Sequence, residues 1–192
     1  VTDKVYDGTI AATMSSYNLN GMLSGDDVSL VGTATFSDKN VGTDKTVTLT
    51  GATLTGIDAG NYILDSVTPT TADIQAATMT AIITVSNKVY DGLTDAVGVS
   101  CSLNGLLSGD DVVCIYSSTI SASFTDKNVG TGKTVTITGV ELWGTDAKNY
   151  MLDSPVTTTA DITQRLINVN PVSGQFKIYG DDDPTLKYAV DD

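Results

Sequence analysis

The chain repeats itself, and that repetition limits its folds more than any other feature. KVYDG at residues 4–8 recurs letter for letter at 88–92, and Leu23-SGDD-Val28 recurs as Leu107-SGDD-Val112, both at an offset of 84. Further on, DKNVGTDKTVTLTG (38–51) returns as DKNVGTGKTVTITG (126–139), NYILDS (61–66) as NYMLDS (149–154), and TADI (71–74) as TADI (159–162), all at an offset of 88. The second copy therefore carries four extra residues between Val112 and Phe124. This divides the chain into a first unit at 1–77, a second at 78–163 and a partial third at 164–192, where KIYGDDDP (177–184) echoes the opening motif. A unit of about 85 residues is longer than the turn-and-helix repeats of solenoids and matches a small β-sandwich. Each unit is expected to bury its own core, like beads on a string.

Within a unit the period is two. Thr46–Thr50 and Thr134–Thr138 alternate Thr with Val, Leu or Ile, and Ile82–Val85 and Ile167–Val169 are rich in β-branched residues. Gly, Asn and Asp cluster every ~8–12 residues, and no segment shows a capped 3.6-residue period. The expected fold class is all-β: tandem antiparallel, Ig-like β-sandwich modules. SGDD, DKNVGT and DAGN or DAKN supply turn residues.

Composition narrows the function. Net charge is −13 with only ten Lys and Arg, spread without a patch, so phosphate neutralisation has no footing and nucleic acid is not an expected partner. Anionic membrane surfaces would repel the chain. No apolar run approaches the ~18 residues of a membrane helix. No basic, then apolar, leader is visible behind Val1, and the chain reads as a mature or excised piece of something longer. Histidine is absent and glutamate occurs once, at Glu141. That removes the usual neutral-pH base and the commonest metal ligand, and an enzyme is not expected.

The ordered set KVYDG, L-x-GDDV, F-x-DKNVGT-x-KTVT-x-TG, NY-x-L and TADI resembles the YDG-type repeat of bacterial filamentous-haemagglutinin-like surface proteins, over roughly 160 residues. The tail KIYGDDDPTLKYAV resembles the opening of the related MBG-type repeat. The resemblance implies a structural or adhesive role at the bacterial cell surface or in an extracellular filament. Neighbouring modules or identical subunits would be the partners, with a glycan or surface receptor as the alternative. It brings no catalytic residues and no cofactor.

Each candidate site has a plainer reading beside it. In Tyr-Asp-Gly, Gly8 and Gly92 can take positive φ, Asp7 and Asp91 can close an Asx-turn, and the tyrosine can bury its ring with its hydroxyl on a backbone partner. Tyr62 and Tyr150 read the same way. Cys101 and Cys114 occur only in the second unit, where Tyr17 and Leu30 stand in the first. They flank SLNGLLSGDDVV, which carries hairpin-loop signals, so a cross-strand or near-cross-strand disulfide is expected, two buried thiols being the alternative. Asp26–Asp27, Asp110–Asp111 and Asp181–Asp182–Asp183 are oxygen-rich turns that calcium could use, the last being the best placed; none has EF-hand spacing, and solvated turns are the plainer reading. Lys39, Asn40, Lys127 and Asn128 bring intramolecular crosslinks to mind but fall in a turn. Trp143, the single tryptophan, is the one aromatic to weigh for glycan binding, against filling a gap between modules.

Overall fold

The computed structural model describes residues 1–153 and 156–190. Ser154 of the NYMLDS repeat and the last two residues of the tail lie outside the described residues. The described chain is all-β, with short 3-10 turns at Ala59–Asn61 and Ala147–Asn149 and no α-helix.

The first repeat folds into strands β1 (Lys4–Val5), β2 (Ser29–Phe36), β3 (Gly42–Thr55) and β4 (Thr70–Gln75). They form one sheet in the order β1-β4-β3-β2, with β1 parallel to β4 and the other pairs antiparallel. The second repeat contributes β5 (Ala77–Ser86), β6 (Lys88–Val89), β7 (Val97–Asn104), β8 (Val113–Phe124), β9 (Gly130–Trp143), β10 (Tyr150–Leu152) and β11 (Val156–Thr163). Its sheet β6-β11-β9-β8 copies the order and senses of the first. The alternating Thr runs lie in β3 and β9, with Val47, Val135 and Ile137 pointing into the core. In the tail, β12 (Val169–Pro171) pairs with β13 (Tyr188–Val190). The strand expected over Ile167–Val169 is thus displaced toward Pro171.

The second repeat has a further sheet, β10-β5-β7. Strand β5 alternates cleanly: Met79, Ala81 and Ile83 are buried while their neighbours are exposed. Ala81 and Ile83 pack on Val135, Ile137, Ala160 and Ile162 in one core cluster. Residues 13–20 and 62–64, which match β7 and β10, are not strands. A groove of about 710 Å³ lies in the first repeat, with Leu30, Leu49, Leu54 and Leu64 in its walls.

The expectation of separate cores needs correction. One buried cluster unites Tyr6, Phe36, Val47 and Ile74 of the first repeat with Met79, Val112 and Tyr150 of the second. The cause is the short connection: Ala76 alone separates β4 from β5, so Met79 (0% exposed) enters the neighbouring core.

Candidate functional site

The repeated motifs converge where the two repeats meet. KVYDG is a locked turn. Tyr6 N–H donates to the Gln75 carbonyl at 2.8 Å, extending the β1–β4 pairing. The Asp7 carboxylate accepts from Thr9 N–H at 2.9 Å and from the Lys4 ammonium at 2.7 Å, and Gly8 turns the chain at φ 77°. Lys4 also donates to the carbonyls of Thr9 and Ala11 and lies over the Phe36 ring. Lys88 does the same in the second copy with Asp91, Leu93, Asp95 and Phe124. With both neighbours fixed, Tyr6 is held facing the second repeat.

There it meets Asp110 of the second SGDD. Tyr6 and Tyr150 hydroxyls both donate to Asp110 Oδ2 at 2.7 Å, and the Lys39 ammonium donates to Oδ1 at 2.9 Å. Lys39 also pairs with Asp146 at 3.4 Å and lies 5.7 Å from the centroid of the Tyr6 ring. Beside this cluster Asn149, fully buried, accepts Val41 N–H through Oδ1 at 2.9 Å and donates to Asn40 Oδ1 at 3.2 Å. The first repeat supplies Tyr6, Lys39, Asn40 and Val41; the second supplies Asp110, Asp146, Asn149 and Tyr150. Local turns hold both sets. Asn40 N–H donates to Asp38, and Asp111 N–H donates to Asp146, whose own N–H donates to the Asp111 carbonyl.

The electrostatics follow from this crowding. Burial works to raise the Asp110 carboxyl, but hydrogen bonds from Lys39, Tyr150 and Tyr6 outweigh it and hold the group below the usual carboxylate range. Burial and then the Asp110 carboxylate push the Tyr150 hydroxyl up to about 12, and the same two causes raise Tyr6. Lys39 is held above the usual lysine range, first by Asp110 and then by Tyr6. A carboxylate saturated by three donors is a clamp: if it withdrew, the Tyr6 and Tyr150 hydroxyls would lose their acceptor in a partly buried place, and Lys39 would keep only its ion pair with Asp146.

Two expectations change here. Tyr6 places its hydroxyl on a carboxylate of the other repeat rather than on backbone. Asp110 is an anchor rather than a solvated turn residue. Lys39 and Asn40 do lie in a turn, as expected, yet both reach across the junction. The sequence signal was present, since all four motifs recur together; what it lacked was which copy's motif meets which.

Cys101 and Cys114 are joined as a disulfide with Cα atoms 6.1 Å apart. The bridge is not the cross-strand link of a hairpin: β7 pairs with β5 and β8 with β9, so it ties the edges of two different sheets. The turn between them changes sheets instead of reversing within one. Asp26 accepts the Tyr62 hydroxyl, and Asp27 N–H donates to Asp58. Asp183 pairs with Lys177, while Asp181 N–H closes a turn on Ile178. Among the described residues no three His, Cys, Asp or Glu side chains are grouped to hold a metal ion. Trp143 ends β9 opposite Val113 and is 66% exposed. Lys127 and Asn128 are exposed, and Lys127 has no ion pair among the described residues.

No curated protein and no solved structure matches the chain. The YDG domain matches it twice, over residues 1–72 and 74–160. The two matched stretches hold every residue of the junction, and the chain belongs to the YDG domain family.

Proposed function

We propose that this chain is a non-catalytic structural segment of a secreted bacterial surface adhesin or extracellular filament, serving as a stalk, spacer or polymerising unit. In this reading, residues 1–77 and 78–163 are Ig-like β-sandwich modules in a tandem array, and 164–192 begin an MBG-like third. The observation that carries it is the junction. Adjacent repeats are fixed to one another by the very motifs that recur in each, which is what a stiff array requires. The disulfide supports an oxidising compartment, and the high net negative charge supports a soluble, non-associating surface.

The test is immunogold electron microscopy of intact, unpermeabilised cells with antibody raised against this chain. Label on surface projections or fibres is expected. Label confined to the cell interior would sink the reading.

A second reading, a glycan- or protein-binding adhesin module, rests on the exposure of Trp143. It predicts glycan-array binding that disappears in Trp143→Ala; an array without binding removes it.

A further inference from the structure

We propose, resting on the stalk reading above, that each repeat bears tension along the chain through a shear clamp, formed where its KVYDG strand and its TADI strand run side by side in the same direction.

The strand registers carry the proposal. The chain enters the second repeat through β5 and β6, which only Asn87 separates, and leaves it through β10 and β11. The two sides pair in parallel at both ends. At the front, Ala77 lies against Tyr150 and Met79 against Leu152; at the rear, Lys88 lies against Ile162 and Val89 against Thr163. The first repeat sets its own two motifs the same way, Lys4 against Ile74 and Val5 against Gln75.

Direction decides what tension does. Load reaches the second repeat from β4 at Ala77 and passes out beyond Thr163. It draws the entry side backward by its front end and the exit side forward by its rear end. Parallel sides loaded in this way slide along their common axis, and the bonds between them stretch together. Neighbouring strands pulled apart at one end open bond by bond instead.

Bonds and packing both resist the slide. Asp153 N–H donates to the Met79 carbonyl at 2.9 Å, and Tyr90 N–H donates to the Thr163 carbonyl at 2.9 Å. Between them Asp161 N–H donates to Asn87 Oδ1 at 2.8 Å. Asn87 stands where the entry side passes from one sheet to the other, so its side chain continues the pairing across the gap. Asp3 does this in the first repeat, where it accepts Asp73 N–H at 2.8 Å. Beneath the bonds, Ala81 and Ile83 of β5 share a buried cluster with Ala160 and Ile162 of β11, so sliding also breaks packing. Strand β6 has only two residues, but the Lys88 ammonium ties it to the turn that follows, through Asp91 and the carbonyls of Leu93 and Asp95. The entry strand cannot slip without dragging that turn. Lys4 makes the same tie in the first repeat through Asp7, Thr9 and Ala11.

The experiment is optical-tweezer pulling of the full chain in two geometries. In one, handles hold its two ends. In the other, they hold the C-terminal end and an azide-bearing residue in place of Lys127, whose turn lies beside the Gly130–Ile162 pair, so that β11 peels from β9. The tail lies in both paths. In the end-to-end pull the second repeat is recognised with a reductant: Cys101 and Cys114 are 13 residues apart, and opening their bridge should lengthen that unfolding event by about 40 Å. At equal loading rate the end-to-end pull should need at least about twofold more force, because sheared bonds share the load and peeled bonds carry it singly. Asn87→Ala removes one of the sharing bonds and should speed unfolding of the second repeat at fixed end-to-end force about fivefold. Equal forces in the two geometries overturn the inference, as does an Asn87→Ala rate equal to that of the wild type. Either result leaves the stalk reading standing, because a stalk can bear load through other contacts. Interior labelling of cells removes the stalk reading without touching the force difference.

Discussion

The rings of Tyr6 and Tyr150 meet edge to face, centroids 5.4 Å apart and planes at 78°, and their hydroxyls share one oxygen of Asp110. One tyrosine comes from the KVYDG of the first repeat and the other from the NY of the second. The contact joins an apolar packing term to a charge-assisted hydrogen bond. Every polar atom in it is committed, so small changes to it should be legible in stability.

Removing one hydroxyl tests this. Tyr6→Phe keeps the ring and strips one donor from Asp110. It should cost about 1.5–3 kcal/mol, the range for a hydrogen bond to a charged group. Tyr90→Phe alters the same motif letter away from the inner junction and should stay within about 0.5 kcal/mol. Urea melts of the two variants check the difference. Equal midpoints would mean that the tyrosine serves only its own turn.

Asn149 gives a second paired comparison. Asn149→Ala leaves the partly buried Val41 N–H without its acceptor and should cost about 1–3 kcal/mol. Its counterpart Asn61 is exposed, and Asn61→Ala should change stability by less than about 0.5 kcal/mol. Hydrogen exchange at the Val41 amide is the sharper readout, since it should accelerate in Asn149→Ala alone.

How much of this was legible beforehand follows from range. Alternation in Thr46–Thr50 and Thr134–Thr138 marks β3 and β9, because one buried face imposes a period of two, and the β-branched run Ile82–Val85 marks β5. Turn chemistry marks Asp7 and Gly8, because an Asx-turn and a positive φ are local. Tyr6 belongs to the same local turn motif, yet its hydroxyl serves a carboxylate more than a hundred residues away. Nothing within a few residues of Tyr6 encodes that partner. The loop from Asn104 to Val112 failed for a related reason. Asn-Gly and Gly-Asp-Asp state that the chain reverses, but not whether it returns to the same sheet. That depends on β5 and β9 having already claimed the two flanking strands.

The junction should also set a pH window. The folded-state pKa of Asp110 is depressed, so its contribution is present above the unfolded value of about 3.9 and is lost as pH falls through the lower folded value. Tyr150 is raised to about 12, so its contribution is present below the unfolded value of about 10 and drains away between about 10 and 12. Thermal melts should show a plateau between these limits. Because other aspartates are also depressed, the decisive comparison is with Asp110→Asn. That variant should be less stable at neutral pH, and its deficit should shrink as pH drops below about 4. A constant deficit across the acid range would show that the Asp110 charge is not what holds the clamp.

Reduction of Cys101–Cys114 separates the sheets of the second repeat from the junction itself. The bridge closes a short loop, with the two residues 13 apart in sequence, and removes unfolded-state entropy worth about 3 kcal/mol. It ties β7 to β8, the edge strands of two sheets, so its loss should loosen how those sheets are held together. The first repeat has Tyr17 and Leu30 at these positions and no such tie. Cys101→Ala/Cys114→Ala, or treatment with a reductant, should therefore lower the denaturation midpoint. Under the same conditions amide exchange should rise in β7 and β8 more than in β2 and β3. Equal acceleration in both repeats would mean that the shared core around Met79 couples them into one unfolding unit, and that the bridge stabilises the whole chain rather than one edge of it.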